Sequence, residues 1–415
     1  MMKNIPVTIP WLGDEEVEAA RETILSGWVT QGPRVEAFEK AFASYVDTSY
    51  ACAVSSCTAA LHLALMAVGV GPGDVVLTVS HSFIATANSI RHCGAEPVFL
   101  DIDPLTRNMD PENLARFLSE DFYWKDETYW YKDIKRLMVG KSPLCRSAEP
   151  VGRLAAILTV HQVGTPCDMK SILLLARDYE IPVIEDAACA IGSEITLDGG
   201  NSWEKIGRPH GDIACFSFHP RKIITTGDGG MLTTNDAKYD QSFRLMRHHG
   251  MSISDRARHV SDQLIFEEYL VTGYNYRMTD IQAAIGIQQM KRLPEIVKKR
   301  RSLTIVYSEA LSKIPGLTIT TEPDYSRTNW QSYIIRLDDA SKQKKVMRKL
   351  QQKGVSARRG IMNAHLEAPY SSSWPTGCLP HSENALNSDI ILPLYPGMTV
   401  EDIHYVVSIL REALV

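Results

Sequence analysis

A lysine stands between an apolar, strand-like stretch and a glycine-rich turn. The segment FSFHPRKIITTGDGGM, residues 216–231, places Lys222 before Gly227, Gly229 and Gly230. Most lysines are solvated surface charges, but a desolvated lysine can form a Schiff base with a carbonyl compound. The groups that the fold brings near Lys222 decide between these roles.

The sequence alternates apolar strand-like runs with helical patterns. Strands are predicted at 50–56, 74–80, 96–103, 153–162, 181–188, 212–220 and 229–236, and helices at 57–69, 83–93, 111–120 and 169–180. Near-continuous apolar strands separated by helices predict a parallel sheet that is covered on both faces. Ligands of such sheets bind beyond the carboxyl ends of the strands. Polar or aromatic residues follow those ends, as does Lys222: Ser56, Ser80–Phe83, His161, Asp186 and Ser217.

Several of these residues could bind parts of one ligand. The helix that begins after Ser56 could bind a phosphate with its free N–H groups, or Ser56 could be an ordinary N-cap. Of Glu185 and Asp186, one should face the interior and need a cationic partner, either a protonated pyridine or a structural arginine. Phe83 could belong to the core or stack on a flat ring. Phosphate, pyridinium, flat ring and aldehyde together are the features of pyridoxal 5′-phosphate.

Composition excludes several other classes. The chain has 415 residues and a net charge of −5, without a long basic run or an apolar stretch of membrane-spanning length, so neither nucleic acid nor membrane is expected as a partner. Eight scattered cysteines without a CxxC pair predict no metal site and reduced thiols in the cytoplasm. We expect a large domain at 1–290, a smaller α+β domain at 291–415, and two helical stretches within 279–313 separated by Pro294.

The order of the motifs resembles the DegT-type (DegT/StrS) aminotransferases, which are fold-type I pyridoxal-phosphate enzymes. The matching stretches cover nearly the whole chain and include SGWVTQGPRVEAFE (26–39), VSSCTAALHLAL (54–65), HQVGTPCDM (161–169), VIEDAACAIGS (183–193), FSFHPRKIITTGDGGM (216–231), GYNYRMTDIQAAIG (273–286) and RRGIMNAH (358–365). The resemblance implies an α/β fold with a mostly parallel central sheet and a small C-terminal domain.

The resemblance also implies roles for individual residues. Lys222 would carry the cofactor, Asp186 would pair with its pyridine nitrogen, and Phe83 would stack on its ring. The phosphate would be held by Ser56, Ser217 and the backbone of Cys57, Thr58 and Ala59, and by Asn275 of a partner subunit in a homodimer with shared sites. The sugar pocket would be lined by Val29, Thr30, Gln31, Gly32, His161, Arg277 and His365.

Two positions depart from the pattern of this family. Cys57 replaces the usual glycine, so its side chain must point away from the phosphate. Cys189 replaces a frequent glutamine that contacts the cofactor's ring hydroxyl, and a thiol is only a weak donor. We therefore expect another donor or water to hold that hydroxyl.

The implied reaction moves an amino group from glutamate or glutamine to the keto group of a nucleotide-linked deoxysugar, in amino-sugar, polysaccharide or glycoside biosynthesis. Lys222 would move the proton, with its pKa lowered by burial. Other possibilities are a transaminase of a non-nucleotide keto sugar or cyclitol, a sugar dehydratase, which typically has histidine in place of the lysine, and a non-catalytic binding protein.

An aromatic segment at 121–152 interrupts the alternation of strands and helices. Its aromatic side chains could pack as a local satellite core, or the segment could cover the sugar pocket as a lid. Its ends should lie away from the catalytic edge of the sheet, so we favour the satellite core.

Overall fold

The computed structural model describes residues 3–253 and 266–414. Its strands are β1 Tyr50–Val54, β2 Asp74–Val79, β3 Glu96–Leu100, β4 Phe122–Lys125, β5 Thr128–Tyr131, β6 Arg153–Val160, β7 Val183–Asp186, β8 Glu194–Ile195, β9 Glu204–Lys205, β10 Ile213–Ser217, β11 Gly230–Thr234, β12 Leu317–Ile319, β13 Ser326–Arg327, β14 Tyr333–Leu337, β15 Arg358–Arg359 and β16 Asp389–Leu392. Its helices are α1 Asp14–Leu25, α2 Pro33–Val46, α3 Cys57–Ala67, α4 Ala85–His92, α5 Pro111–Asp121, α6 Ile134–Leu137, α7 Met169–Asp178, α8 Ala237–Met246, α9 Asp280–Leu311, α10 Gln343–Gln352, α11 Pro380–Ser388 and α12 Val400–Leu414.

The central sheet has the strand order β1-β11-β10-β7-β6-β2-β3. Neighbouring strands from β10 to β3 are parallel, whereas β11 runs antiparallel to both β1 and β10. Every residue of β2, β3, β7, β10 and β11 is buried, as expected for strands covered on both faces. The predicted α/β fold with a mostly parallel sheet is confirmed.

The turn between β10 and β11 brings the segment around Lys222 onto the start of α3. Phe218 N–H donates to the Gly229 carbonyl at 2.9 Å, and Gly229 has a φ of 156°, a conformation that favours glycine. A Cβ at Gly230 would lie 2.5 Å from the carbonyl carbon of Ser56. Glycine is therefore required where this turn packs on the helix start.

A second hydrophobic core lies in the C-terminal part of the chain. There a sheet of order β12-β14-β16-β15 packs with residues of α9, α10 and α12, and Ile5 from the N-terminal segment belongs to the same core. The predicted boundary at residue 290 lies inside α9, and the division into two domains stays a prediction.

The expectation of two separate helices around Pro294 is wrong. α9 continues through Pro294 for 32 residues, although proline removes one backbone hydrogen bond. Leu293 and Ile296 on either side of the proline are buried in the main core. This packing holds the helix together across the residue that would otherwise end it.

The segment at 121–152 contributes to the main core. β4 and β5 form a hairpin, and its residues Phe122 and Tyr131, each 3% exposed, belong to the main hydrophobic core rather than to a separate satellite cluster. Trp130 pairs with Arg153 at the amino end of β6, so the hairpin lies away from the carboxyl edge of the sheet.

All eight cysteines are free thiols. Over the described ranges, no helix combines the length and the apolar character needed to span a membrane.

Truncating the two adjacent aromatic residues of the hairpin should separate core from surface. Phe122→Ala should lower the free energy of unfolding by about 3–5 kcal/mol, because it leaves a cavity in the main core. Tyr123→Ala is the matched control, since Tyr123 is 44% exposed, and it should change stability by only about 0.5 kcal/mol. Urea unfolding measures both, and equal effects would contradict the placement of Phe122.

Candidate functional site

A cavity of about 620 Å³ opens where the carboxyl ends of the central strands meet the C-terminal part of the chain. The residues that the sequence predicted for the cofactor or substrate and that line it are Ser56, Cys57, Thr58, Phe83, His161, Asp186, Cys189, Ser217 and Lys222. Gln331, Ser332 and Arg358 line it from the C-terminal side. The convergence predicted at this edge is thus present in one subunit.

Glu185 and Asp186 are both buried, but only Asp186 lines the cavity. Glu185 accepts hydrogen bonds from His161 Nε2 at 2.9 Å and from the backbone N–H groups of His210 and Gly211 at 2.7 and 2.8 Å. Burial alone would raise the pKa of Glu185, but His161 and His210 lower it well below its ordinary value. Glu185 therefore has its partners within the protein and is structural.

Asp186 faces the cavity with hydrogen bonds but no cation in contact. Thr86 Oγ1 donates to Oδ2 at 2.8 Å, and Ala188 N–H donates to Oδ1 at 3.2 Å. Burial raises the pKa of Asp186, although Thr86 and Lys222 act against this rise. Among the ion pairs of the described residues, none includes Asp186. A buried carboxylate in this state favours a cationic partner from a ligand.

The start of α3 provides an anion-binding group at the same cavity. Ser56 caps the helix, and its Oγ accepts from Ala59 N–H at 3.1 Å. The N–H of Ala59, which was predicted to hold a phosphate, is thus already used within the protein. Cys57 and Thr58 supply the other N–H groups of the first turn, which have no acceptor within the helix, and Ser217 lines the cavity beside them. These groups suit a phosphate.

Lys222 extends into the cavity, where its Nζ lies 3.1 Å from Cys189 Sγ. Burial lowers the pKa of this lysine, but attraction to Cys189, Asp186 and Cys57 outweighs burial, so that the pKa is raised above its ordinary value. The expectation that burial would lower the pKa of Lys222 is therefore wrong for the protein alone. The groups that surround the amine had not been apparent from sequence spacing.

Phe83 does not belong to the core. It is 64% exposed and lines the cavity, so its ring face is available to a flat ligand. Of the two roles that the sequence left open, this position favours stacking.

The predicted substrate residue Arg277, the predicted phosphate residue Asn275 and the predicted substrate segment Val29–Gly32 lie outside this cavity. Arg277 Nη1 lies 2.6 Å from His248 Nδ1, and Asn275 pairs through its backbone with the same histidine. Gln31 and Gly32 line a second cavity that His248 also borders. The carboxylate of Asp280 accepts from Gly32 N–H at 2.8 Å, which fixes the segment Val29–Gly32 to the start of α9.

His161 and His365 have their ring nitrogens engaged by the protein. His161 accepts from Cys167 N–H through Nδ1 at 3.0 Å, while Nε2 contacts Glu185. His365 is fully buried, with Nδ1 2.6 Å from Ser80 Oγ and Nε2 3.2 Å from Glu383 Oε1. It is not among the residues that line the cavity.

Several residues of the cavity could not be identified from the sequence. Thr86 positions Asp186, and a helix start next to a strand end was the only available signal for it. Arg221 and Arg358 line the cavity together, and burial and the charge of Arg221 lower the pKa of Arg358. Arg358 had been visible only as part of the RRGIMNAH stretch, without a role.

The site has a binding group for each feature of pyridoxal phosphate. The helix start suits the phosphate, the buried Asp186 suits a pyridinium, Phe83 suits the ring face and Lys222 suits the aldehyde. The residues therefore fit this cofactor, and the fold with this site defines a fold-type I aminotransferase.

Comparisons with known proteins agree with this class. Residues 10–411 match the model of the DegT/DnrJ/EryC1/StrS aminotransferase family. The spore coat polysaccharide biosynthesis protein SpsC of Bacillus subtilis (strain 168) is 33% identical over 414 residues, covering 98% of this chain and 96% of SpsC. The aminotransferase TlmJ from Streptoalloteichus hindustanus is 31% identical, with a TM-score of 0.81 over 99% of each chain. DesI, solved in the presence of its TDP-sugar product, is 26% identical with a TM-score of 0.80, covering 100% of this chain and 94% of DesI.

The chain belongs to the DegT/DnrJ/EryC1/StrS aminotransferase family. It is accordingly a pyridoxal-phosphate-dependent aminotransferase, which confirms the resemblance noted from its motifs and the reaction class predicted from it.

The neighbours Glu185 and Asp186 offer a matched test of structural and functional roles. Asp186→Asn should keep the melting temperature but lower the transamination rate about a hundred- to thousandfold, because an amide cannot stabilise a ring cation. Glu185→Gln should lower stability by about 1–3 kcal/mol, because it disturbs three buried hydrogen bonds, while the folded enzyme stays active.

The stability difference for Glu185→Gln should also depend on pH. The pKa of Glu185 in the folded protein lies below its ordinary value of 4.5. The ionised carboxylate therefore stabilises the folded state fully above pH 4.5, and this stabilisation is lost as the pH falls below that value. Melting curves and steady-state rates for the two variants measure these effects. A near-normal rate in Asp186→Asn would place the pyridine elsewhere.

Proposed function

We propose that this aminotransferase transfers an amino group from glutamate or glutamine to the keto group of a nucleotide-linked deoxysugar. The observation that carries the proposal is the combination of Lys222 and Asp186 in one cavity that both parts of the chain enclose. The cavity is within the usual size range of small-molecule sites. The printed descriptions of SpsC and DesI, which concern polysaccharide biosynthesis and a TDP-sugar product, support a sugar substrate.

Named residues of this chain would hold the cofactor. The N–H groups at Cys57 and Thr58 and the hydroxyls of Ser56 and Ser217 would bind its phosphate, and Phe83 would cover one ring face. When bound, pyridoxal phosphate supplies an aldehyde that amines condense with and a ring that accepts electrons from the substrate carbon. Cys57 can take part because its backbone N–H does not depend on the side chain.

During the reaction, Asp186 would stabilise charge and Lys222 would transfer protons. Asp186 would hold the proton on the pyridine nitrogen through its carboxylate, with Thr86 fixing the orientation of that carboxylate. Lys222 Nζ would take the proton from the substrate carbon and donate it to a carbon of the cofactor. In the second half-reaction the proton would move in the opposite direction. The flexible lysine stem allows one amine to reach both positions.

Arg221 and Arg358 would bind an anionic part of the substrates. Their charges act on each other, and in the described part of the chain neither forms an ion pair with an acid. Such a pair favours a carboxylate or phosphate ligand. The carboxylates of glutamate and the phosphates of a nucleotide sugar both have this chemistry.

The active unit would be a homodimer with shared sites. Asn275 is exposed, and His248, which pairs with Asn275 and contacts Arg277, borders the same cavity as Gln31 and Gly32. Four large apolar side chains that precede Asn275 in the chain are exposed: Phe266, Tyr269, Leu270 and Val271. Contiguous exposed apolar residues are typical of protein interfaces. Dimerisation through this surface would place Asn275 at the phosphate in the cavity of the partner subunit.

Replacing the lysine tests the central role in the proposal. Lys222→Ala and Lys222→Arg should abolish transamination but still bind pyridoxal phosphate non-covalently, because the other groups of the site remain. Borohydride reduction followed by mass spectrometry should find the cofactor linked to Lys222 in the wild type and no link in either variant. Full turnover by a variant would contradict the proposal. A panel of keto sugars and cyclitol ketones then identifies the substrate class.

Mixed dimers test the shared site. Lys222→Ala and Asn275→Ala homodimers should each be impaired at both sites. A mixed dimer would combine both defects in one site and leave the other intact, so about half of the wild-type rate per heterodimer should return. Rates are measured on heterodimers purified by two affinity tags. If mixing restores no activity, Asn275 serves its own subunit or does not touch the cofactor.

A further inference from the structure

The contact between Cys189 and Lys222 is built into the fold. Cys189 lies in the turn after β7, where Ala190 N–H donates to the Ala187 carbonyl at 2.8 Å. Asn329 Nδ2 donates to the Cys189 carbonyl, also at 2.8 Å. The sulfur that lies 3.1 Å from Lys222 Nζ is thus carried by a backbone that is fixed on two sides.

A glycine makes room for the residue that fixes this turn. Gly164 has a φ of +97°, and a Cβ there would lie 2.0 Å from Asn329 Oδ1 and 3.2 Å from the Cys189 carbonyl oxygen. Asn329 also donates to the Ile191 carbonyl at 2.8 Å. Cys189 therefore occupies a position that three separate segments of the chain define.

The charges around Lys222 come from several elements. Asp186 at the end of β7 attracts its positive charge and Cys189 in the turn contacts it. Cys57 at the start of α3, whose thiol burial keeps protonated by raising its pKa, and His219 in the loop of Lys222 lie near it. Asp186 has two other donors, and Cys57 lies at the helix start that we assign to the phosphate. Cys189 is the group in hydrogen-bond contact with the amine.

We infer that Cys189 is a positioning residue for Lys222: its sulfur, in hydrogen-bond contact with Nζ, holds that nitrogen in the cavity. Its link to catalysis rests on the proposed function, whereas the contact itself can be tested without cofactor. The thiol would then act on the lysine, a role different from the contact with the cofactor's ring hydroxyl that was expected for the glutamine it replaces.

The first experiment uses the enzyme freed of cofactor. Iodoacetamide alkylates thiolates, and a neighbouring ammonium group stabilises a thiolate. Alkylation of Cys189 should therefore be about two- to fivefold slower in Lys222→Ala than in the wild type, as expected for a partly exposed charge pair. Peptide mass spectrometry follows Cys189 and the exposed Cys145 in the same samples, and Cys145 should react equally in both.

The second experiment titrates the visible absorption of the cofactor-loaded enzyme against pH. In Cys189→Ala the nitrogen of Lys222 loses a hydrogen-bond partner of its protonated form. Its proton affinity should fall about two- to fivefold, so the titration midpoint should move to lower pH. Cys189→Ser should give an intermediate midpoint, and it also provides a test if the alanine variant does not fold. Cys145→Ala is the matched control and should titrate as the wild type does.

Two results would overturn the inference. One is an alkylation rate at Cys189 that is unchanged in Lys222→Ala, and the other is an unchanged titration midpoint in both Cys189 variants. If the wild type shows no visible absorption with pyridoxal phosphate, the proposed function fails instead. The alkylation experiment still decides the contact in that case.

Discussion

The site depends on a carboxylate that is buried without a cation of its own. Burying a charged group costs free energy unless a partner compensates it. Two adjacent buried acids of this fold differ in their partners. Glu185 is compensated by His161 and backbone N–H groups, whereas Asp186 is oriented by Thr86 towards an open cavity. The alternation of a β-strand, which sends successive side chains to opposite faces, produces this division. In the proposed function, the ring of the cofactor would supply the missing charge.

Much of this arrangement could be predicted from the sequence because parallel strands collect their carboxyl ends at one edge. The polar residues after five strands identified the site, and Lys222 followed from the same geometry. The spacing of residues did not decide which of Glu185 and Asp186 faces the ligand, because that depends on His161 and His210, which are distant in the sequence. Only the family resemblance assigned Asp186 to the ring. Spacing also left the position of Phe83 open, since an aromatic residue next to a strand end is compatible with core and cavity alike, and only the resemblance placed it against the ring.

Other features depend on tertiary contacts that leave no local signal. α9 continues through Pro294 because core packing on both sides outweighs one lost hydrogen bond. The raised pKa of Lys222 reflects groups from three segments that only the fold brings together. Arg358 reaches the cavity from the C-terminal part of the chain, where no pattern of spacing connects it with Lys222. The residues at the edge of the central sheet could be identified from the sequence, whereas the residues that the C-terminal part of the chain adds to the cavity could not.

The pairing of Asp186 with the cofactor's ring is tested most directly by the protonation state of the ring nitrogen. Pyridoxal phosphate labelled with ¹⁵N in the ring can be bound to the wild type and to Asp186→Asn, and the ¹⁵N chemical shift can be followed by NMR across neutral pH. The ring nitrogen should be protonated in the wild type and unprotonated in the variant. Identical shifts in the two proteins would contradict this pairing, because Asp186 would then not be the partner of the ring.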